Sequence, residues 1–387
     1  MKVKLNWEKA YIWFVSVGIF FFIFTTYSAV EGSIGNIFET IYSVIWLAFR
    51  LFILLKVLFE FNRKSFVPVF VFLFIVYDFT VCSNSEIYMM IWFILGLKNV
   101  NLNKLFVSLF YSILTSVLFI NIFCLAGIIP DFLMTRENVV RHGLGFSHPN
   151  AFAALACELM MIYIYLKGID KRINIWGIVL ASLLVYMIAR SNTQLIICGI
   201  SIIIILFAKI TDKSKKLFIK ALKKYRIVFI ACLVSAIGYV VYNFNEIILY
   251  LIDHTRGSFY SRMRQLYTYL RYYGVSLLGK KIVSNYNVNG LYTLDNGYMY
   301  LFLGYGVIIF SAFIISYIII IYKMIKFENY SGLLVIMLAL IYGISETTMI
   351  KLAMNFTLFF IGCVLWNQWG SVEKYQDDML RGYKKNE

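Results

Sequence analysis

Two of the chain's three histidines, His142 and His148, stand inside one decapeptide, Arg141-His-Gly-Leu-Gly-Phe-Ser-His-Pro-Asn150, and the third, His254, stands in a long polar stretch further on. An imidazole near its ordinary pKa of about 6.5 can take a proton from an attacking hydroxyl at neutral pH. Arginines accompany these histidines: Arg141 in the first segment, and Arg256, Arg262, Arg264 and Arg271 in the second. A guanidinium meets phosphate through planar two-point contacts that an ammonium cannot make. From Phe259 to Tyr273 there are three arginines and no lysine, a bias that a general attraction to anionic headgroups does not require. Proton transfer beside a bound phosphate is the chemistry that these types offer.

The elements that must hold these residues are set by composition. Of 387 residues, 61% are hydrophobic and only 14% charged, and mean hydropathy is +0.79, which defines a multi-pass membrane protein. Crossing about 30 Å of hydrocarbon takes roughly 20 apolar residues, because a helix pairs its own backbone groups where lipid cannot. The expectation is an all-α integral membrane protein, a single polytopic unit over 1–387. About twelve spans are read near 10–30, 36–58, 66–82, 86–97, 105–129, 149–166, 173–189, 194–210, 226–243, 296–322, 331–345 and 352–367. The first is too long for a removable signal peptide and lacks its cleavage site, so it is expected to stay as an anchor.

Lysine and arginine in alternate short loops, from Lys2, Lys4 and Lys9 to Lys374, Arg381, Lys384 and Lys385, place both termini in the cytoplasm. Lipid headgroups and topology account for most of the formal charge of +16. They do not account for Arg136, Arg141, Arg190, Arg256, Arg262, Arg264 and Arg271, all assigned to the outer face. No Walker loop, no dinucleotide fingerprint and no nucleic-acid motif occurs. The six cysteines are scattered singly and read as packing residues, and no ligand spacing for a metal is present.

The external loop at 130–148 ends at Pro149, a residue suited to the first position of a helix, so His148 is placed at or near the N-cap. The first turn then directs free N–H groups and the positive dipole end outward, a geometry that holds phosphate. A capped helix start with no chemistry explains the same residues. In the long external loop at 244–295, Phe259, Met263, Leu266, Leu270 and Tyr273 recur at helical spacing, with Arg264 and Arg271 on the opposite side. This amphipathic helix can lie on the membrane or on the bundle. Asp295 is placed as the N-cap of the tenth span. Arg50, Asp78 and Glu158 fall inside spans, where charge is costly unless paired or wet, and Glu158 is set about two turns below Pro149.

An arginine followed by Gly-Phe-Ser-His-Pro-Asn at the outer start of a span, then an arginine-rich external loop ending at Asp-Asn-Gly-Tyr, resembles the Wzy-type O-antigen and capsular polysaccharide polymerases, relatives of the O-antigen ligases. Family members often show a Ser-Arg-Thr-like turn between the seventh and eighth spans; here the stretch reads Arg190-Ser191-Asn192-Thr193-Gln194. The resemblance implies a transferase, without cofactor or metal, in a bacterial plasma membrane. It would join oligosaccharide units carried on undecaprenyl pyrophosphate, with a flippase and a chain-length regulator as partners. It implies a pyrophosphate clamp of Arg141, Arg256, Arg262, Arg264 and Arg271, and a base among His148, His254 and His142. Asn150, Glu158, Arg190 and Asp295 are implied as supporting residues. A ligase would use nearly the same site. A lipid-oligosaccharide flippase or other transporter would share the spans, but such proteins place charge near the midplane at broken helices.

Overall fold

The computed structural model describes residues 6–59, 85–136, 139–168, 173–210, 249–250, 258–283, 291, 294–370 and 372. Eleven helices occur among them: α1 Trp7–Tyr27, α2 Gly32–Phe59, α3 Ser85–Gly96, α4 Leu102–Leu125, α5 Pro149–Lys167, α6 Ile175–Ala189, α7 Asn192–Ile210, α8 Ser258–Tyr273, α9 Gly297–Lys326, α10 Tyr330–Ser345 and α11 Phe359–Trp366. Five of these, α1, α2, α4, α5 and α9, are long and apolar enough to cross a membrane. Shorter apolar stretches, of 10–17 residues, fall in α6, α7 and α10 and over Phe356–Trp366, which runs into α11. The chain is therefore a helical, membrane-embedded protein. The expected spans at 66–82 and 226–243 lie outside the described residues, as does Asp78.

The helix starts share a cause. Asn6, Asn101, Asn174, Asn296 and Asn329 each accept a backbone N–H of the first turn through the side-chain oxygen. This bond replaces one of the four N–H groups that a helix leaves unpaired. The tenth span is thus capped by Asn296 and not by Asp295, its neighbour. At α5 the capping residue is a histidine.

Burial separates the middle of the bundle from its rim. Two thirds of the α5 span is buried, against 17% of α2, whose Val44, Leu47, Leu51 and Leu58 face outward. Phe106 of α4 and Tyr165 of α5 pack edge-to-face at 5.2 Å, and Phe356 closes on Phe106 at 4.9 Å. Lys56, though charged, is buried in α2 because its ammonium donates to the Gly96 (2.9 Å) and Lys98 carbonyls at the end of α3. There it meets the negative end of the helix dipole. Cys157 of α5 and Cys198 of α7 are both buried and free.

One expected span is corrected. The last span, read at 352–367, is not one helix: three 3-10 turns, Thr347–Ile350, Leu352–Met354 and Phe356–Leu358, precede the eight residues of α11. Polar side chains satisfy this irregular backbone inside the bundle. Asn355 donates to the Met349 carbonyl (2.7 Å) and accepts the Thr357 N–H (3.2 Å), and Glu158 accepts the Phe356 N–H. Beside the helices, the described residues include one short strand pair. Leu133–Arg136 (β1) and Val139–His142 (β2) form an antiparallel hairpin, with Arg141 opposite Met134 and His142 opposite Leu133.

Candidate functional site

The hairpin stands where α5 begins. Adjacent strand residues point to opposite faces, so Arg141 turns inward, 5% exposed, while His142 turns outward. The Arg141 Nε donates to the Ala189 carbonyl at 2.7 Å, and Nη2 donates to Asn150 Oδ1. The two contacts have a common logic. Ala189 ends α6, where carbonyls lack helical partners and the dipole is negative, and Asn150 stands in the first turn of α5. One guanidinium therefore ties the end of α6 to the start of α5.

His148 caps α5: its Nδ1 accepts the Asn150 N–H at 3.0 Å. A neutral imidazole bonded this way carries its proton on Nε2. Burial holds the pKa of His148 below the usual histidine value, and the positive charges of Arg141 and Lys351 push it the same way. His148 is thus a neutral donor through Nε2–H, since taking up a second proton at Nδ1 would break the cap. Lys351 lies between the first two 3-10 turns, half-buried, with its ammonium 5.6 Å from the centre of the Tyr27 ring.

The loop between β2 and α5 is fixed to α1. Ser147 N–H donates to the Tyr27 carbonyl (2.8 Å) and Ala29 N–H to the Gly145 carbonyl (2.7 Å), while Phe146 is fully buried beside Phe152. Asp131 holds the loop's other side: Oδ2 pairs with His142 Nδ1 and Oδ1 accepts the Leu144 N–H, each at 2.7 Å. The His142 ring is exposed on the far side of the hairpin from Arg141.

Arg141, His148, Asn150 and Lys351 are therefore together. Arg190 adjoins them through the chain, since it follows Ala189 and ends α6 in a left-handed conformation (φ 48°), but its side chain is exposed over the Tyr186 ring. Glu158 is fully buried nine residues into α5. One oxygen accepts the Phe356 N–H, and Oε2 has no hydrogen-bond partner among the described residues. It supports the same 3-10 segment that carries Lys351.

Helix α8 forms as its spacing predicts, with Leu266, Tyr269 and Tyr273 buried and Arg264 and Arg271 exposed. Its apolar face rests on the first turns of α9, at Met299 and Leu303. His254 and Arg256 lie outside the described residues, as does the side chain of Arg262. Lys351 and Asp131 escape a reading by motif, because each stands alone in sequence and gains its meaning from a distant segment. Comparison of the chain with models of known families, with characterised proteins and with solved structures gives no match.

Proposed function

We propose that this protein is a glycosyltransferase for lipid-linked oligosaccharide, joining repeat units carried on undecaprenyl pyrophosphate at the outer face of a bacterial plasma membrane. The topology that goes with this reading has about twelve spans and cytoplasmic termini. The observation that carries it is the meeting of two separate parts of the chain at the start of α5: the segment that holds Arg141 and His148, and the turn that holds Lys351, whose charge acts on His148. Two of the three are cations, and the third is a neutral donor at the positive end of a helix.

In the proposed reaction an acceptor hydroxyl oxygen attacks the anomeric carbon. The carbon–oxygen bond to the diphosphate breaks, the electron pair leaves with the diphosphate, and the hydroxyl proton passes to a base. Negative charge grows on the departing phosphate oxygens, where fixed donors lower the barrier most. Lys351 and the His148 Nε2–H meet that charge, Arg141 supports it from beneath, and Arg264 and Arg271, with Arg256 and Arg262, form the second side of the clamp. Since the Nδ1 of His148 is engaged in the cap and its Nε2 already carries a proton, His254 takes the role of base.

Lys351→Ala and His148→Ala are each expected to stop chain growth at unchanged protein level, so that single repeat units accumulate on lipid, while Lys351→Arg retains growth. Long polymer from Lys351→Ala overturns the assignment. A ligase acting on a different acceptor would use the same groups, and its product separates the two. A transporter reading is favoured by one feature, the break in α9 at Gly306, where φ is 78°. Cysteines placed at 142 and 264 test it, because alternating access makes their modification depend on transport state.

A further inference from the structure

Residues 274–283, which follow α8, form a strap with neither helix nor strand that lies along that break in α9. Gly306, with φ 78° and ψ 175°, interrupts the helical ladder. The strap restores what the break removes. Val307 N–H donates to the Ser276 carbonyl (3.1 Å), Ile308 N–H donates to the Leu277 carbonyl (3.3 Å), and Lys280 N–H donates to the Leu303 carbonyl (3.1 Å). The two backbones touch because both are glycine at the contact: a Cβ at Gly279 would stand 2.2 Å from the Gly304 oxygen, and one at Gly306 2.3 Å from the Leu277 oxygen.

Backbone polar groups that face hydrocarbon must be paired within the protein, and this strap meets that condition at the contact. Outward it shows Val275, Leu277 and Leu278, each more than half exposed, beside the exposed Ile308. A groove of about 380 Å³ opens at the junction with α8, lined by Leu249, Tyr267, Leu270, Arg271, Gly274 and Val275. Its one charged group is the guanidinium of Arg271, on the exposed side of α8. Depth follows from α9. About 30 Å of hydrocarbon takes roughly 20 helical residues at 1.5 Å each, and counting that many back from Lys323, in the last turn, reaches Leu303. The hydrogen bonds between strap and helix fall at that level.

We infer that α8 and the strap form an anchor in the membrane interface whose partner is the phospholipid leaflet itself. Leu277 and Leu278 enter the acyl region, and Arg264 and Arg271 stand at the level of the phosphates. Amphipathic helices bind interfaces through buried apolar area together with attraction between cations and lipid phosphate. Here the two tasks are divided. The apolar face of α8 is spent on α9, and the strap supplies the residues that enter lipid.

The test is nitroxide accessibility in the full-length protein, reconstituted in nanodiscs of phosphatidylglycerol and phosphatidylcholine. The label is carried on p-acetylphenylalanine at position 278, and in separate samples at 275 and at 268 on the exposed side of α8. Collisions with oxygen are expected to exceed those with a water-soluble nickel chelate at 278 and 275, with the order reversed at 268. Nickel collisions dominating at both 275 and 278 overturn the anchor. So does dipolar broadening between labels at 278, which would show a second copy of the chain covering this face. The measurement involves no glycan, so its outcome is separate from that of the proposed transferase activity.

Discussion

Replacing Arg141 by lysine keeps the charge near His148 and removes the fork. Arginine reaches the Ala189 carbonyl through Nε at 2.7 Å and Asn150 Oδ1 through Nη2. A lysine ends in a single nitrogen without the planar fork, so the two acceptors placed to meet Nε and Nη2 cannot both keep their bonds. Ala189 is fully buried, so its carbonyl cannot turn to water when the donor is lost. An orphaned buried acceptor costs about 1–3 kcal/mol, so Arg141→Lys should lose about that much, and Arg141→Ala, which also gives up the part-buried bond to Asn150, about 1 kcal/mol more. Unfolding of the detergent-solubilised protein by titration with sodium dodecyl sulfate gives these differences directly. A double-mutant cycle with Asn150→Ala isolates one contact, and a coupling of about 1.5–3 kcal/mol is expected for a hydrogen bond to a charged donor. Arg141→Lys within about 0.5 kcal/mol of wild type, an ordinary result for a surface site, would refute the claim that the fork joins α6 to α5.

The cap at α5 predicts a pH dependence. His148 is held neutral by burial and by the charges of Arg141 and Lys351, so the folded chain takes up this proton less readily than the unfolded one. Its contribution to stability is whole above about pH 6.5, the unfolded value, and is lost as pH falls below it. Compared at pH 5.5 and 7.5 in the same titration, His148→Asn, which retains a cap acceptor, should lose less on acidification than wild type; equal losses would show that the cap does not titrate. At α9, Asn296→Ala should cost about 1 kcal/mol for the cap and about 1 kcal/mol for the bond from Nδ2 to the Ile344 carbonyl. Asn296→Asp should recover only the cap, and thermal unfolding followed by gel filtration reads the difference.

What sequence reveals about this protein follows from which forces act along the chain and which act across it. Helix starts and apolar lengths are local, so α1, α2, α4, α5, α6, α7, α9 and α10 are legible within a few residues of their observed bounds. The position of His148 at the N-cap is legible too, because Pro149 marks the first helical residue. The last span fails for a physical reason: Asn355 and Glu158 pair the irregular backbone of 346–358 from inside the bundle, and no local pattern reports a partner some two hundred residues away. Likewise the hairpin is short, and its four-residue strands carry no period beyond Val139-Val140. Lys351 reads as an ordinary loop lysine until folding sets it beside His148. The arginine face of α8 is legible by spacing, whereas its seat on α9 depends on Met299 and Leu303, which that spacing cannot name.

The two positive surfaces share one support. The first residue of α9, Gly297, sits so close to the turn before Lys351 that a Cβ there would stand 3.0 Å from the Met349 Cβ and 3.1 Å from the Glu346 oxygen. On another side the same first turns carry α8, through Met299 and Leu303 packed against Leu266, Tyr269 and Tyr273. The segment from Gly297 to Leu303 therefore sets both the height of Lys351 beside His148 and the height of Arg264 and Arg271 above α9. A phosphate-bearing ligand gripped from both sides would bind a pair of surfaces whose spacing is built into one helix start. Close-packed contacts of this kind transmit displacement because there is no empty space to absorb it. A change that moves the start of α9 should alter both surfaces together, whereas a change in Arg264 or Lys351 alone should alter only its own.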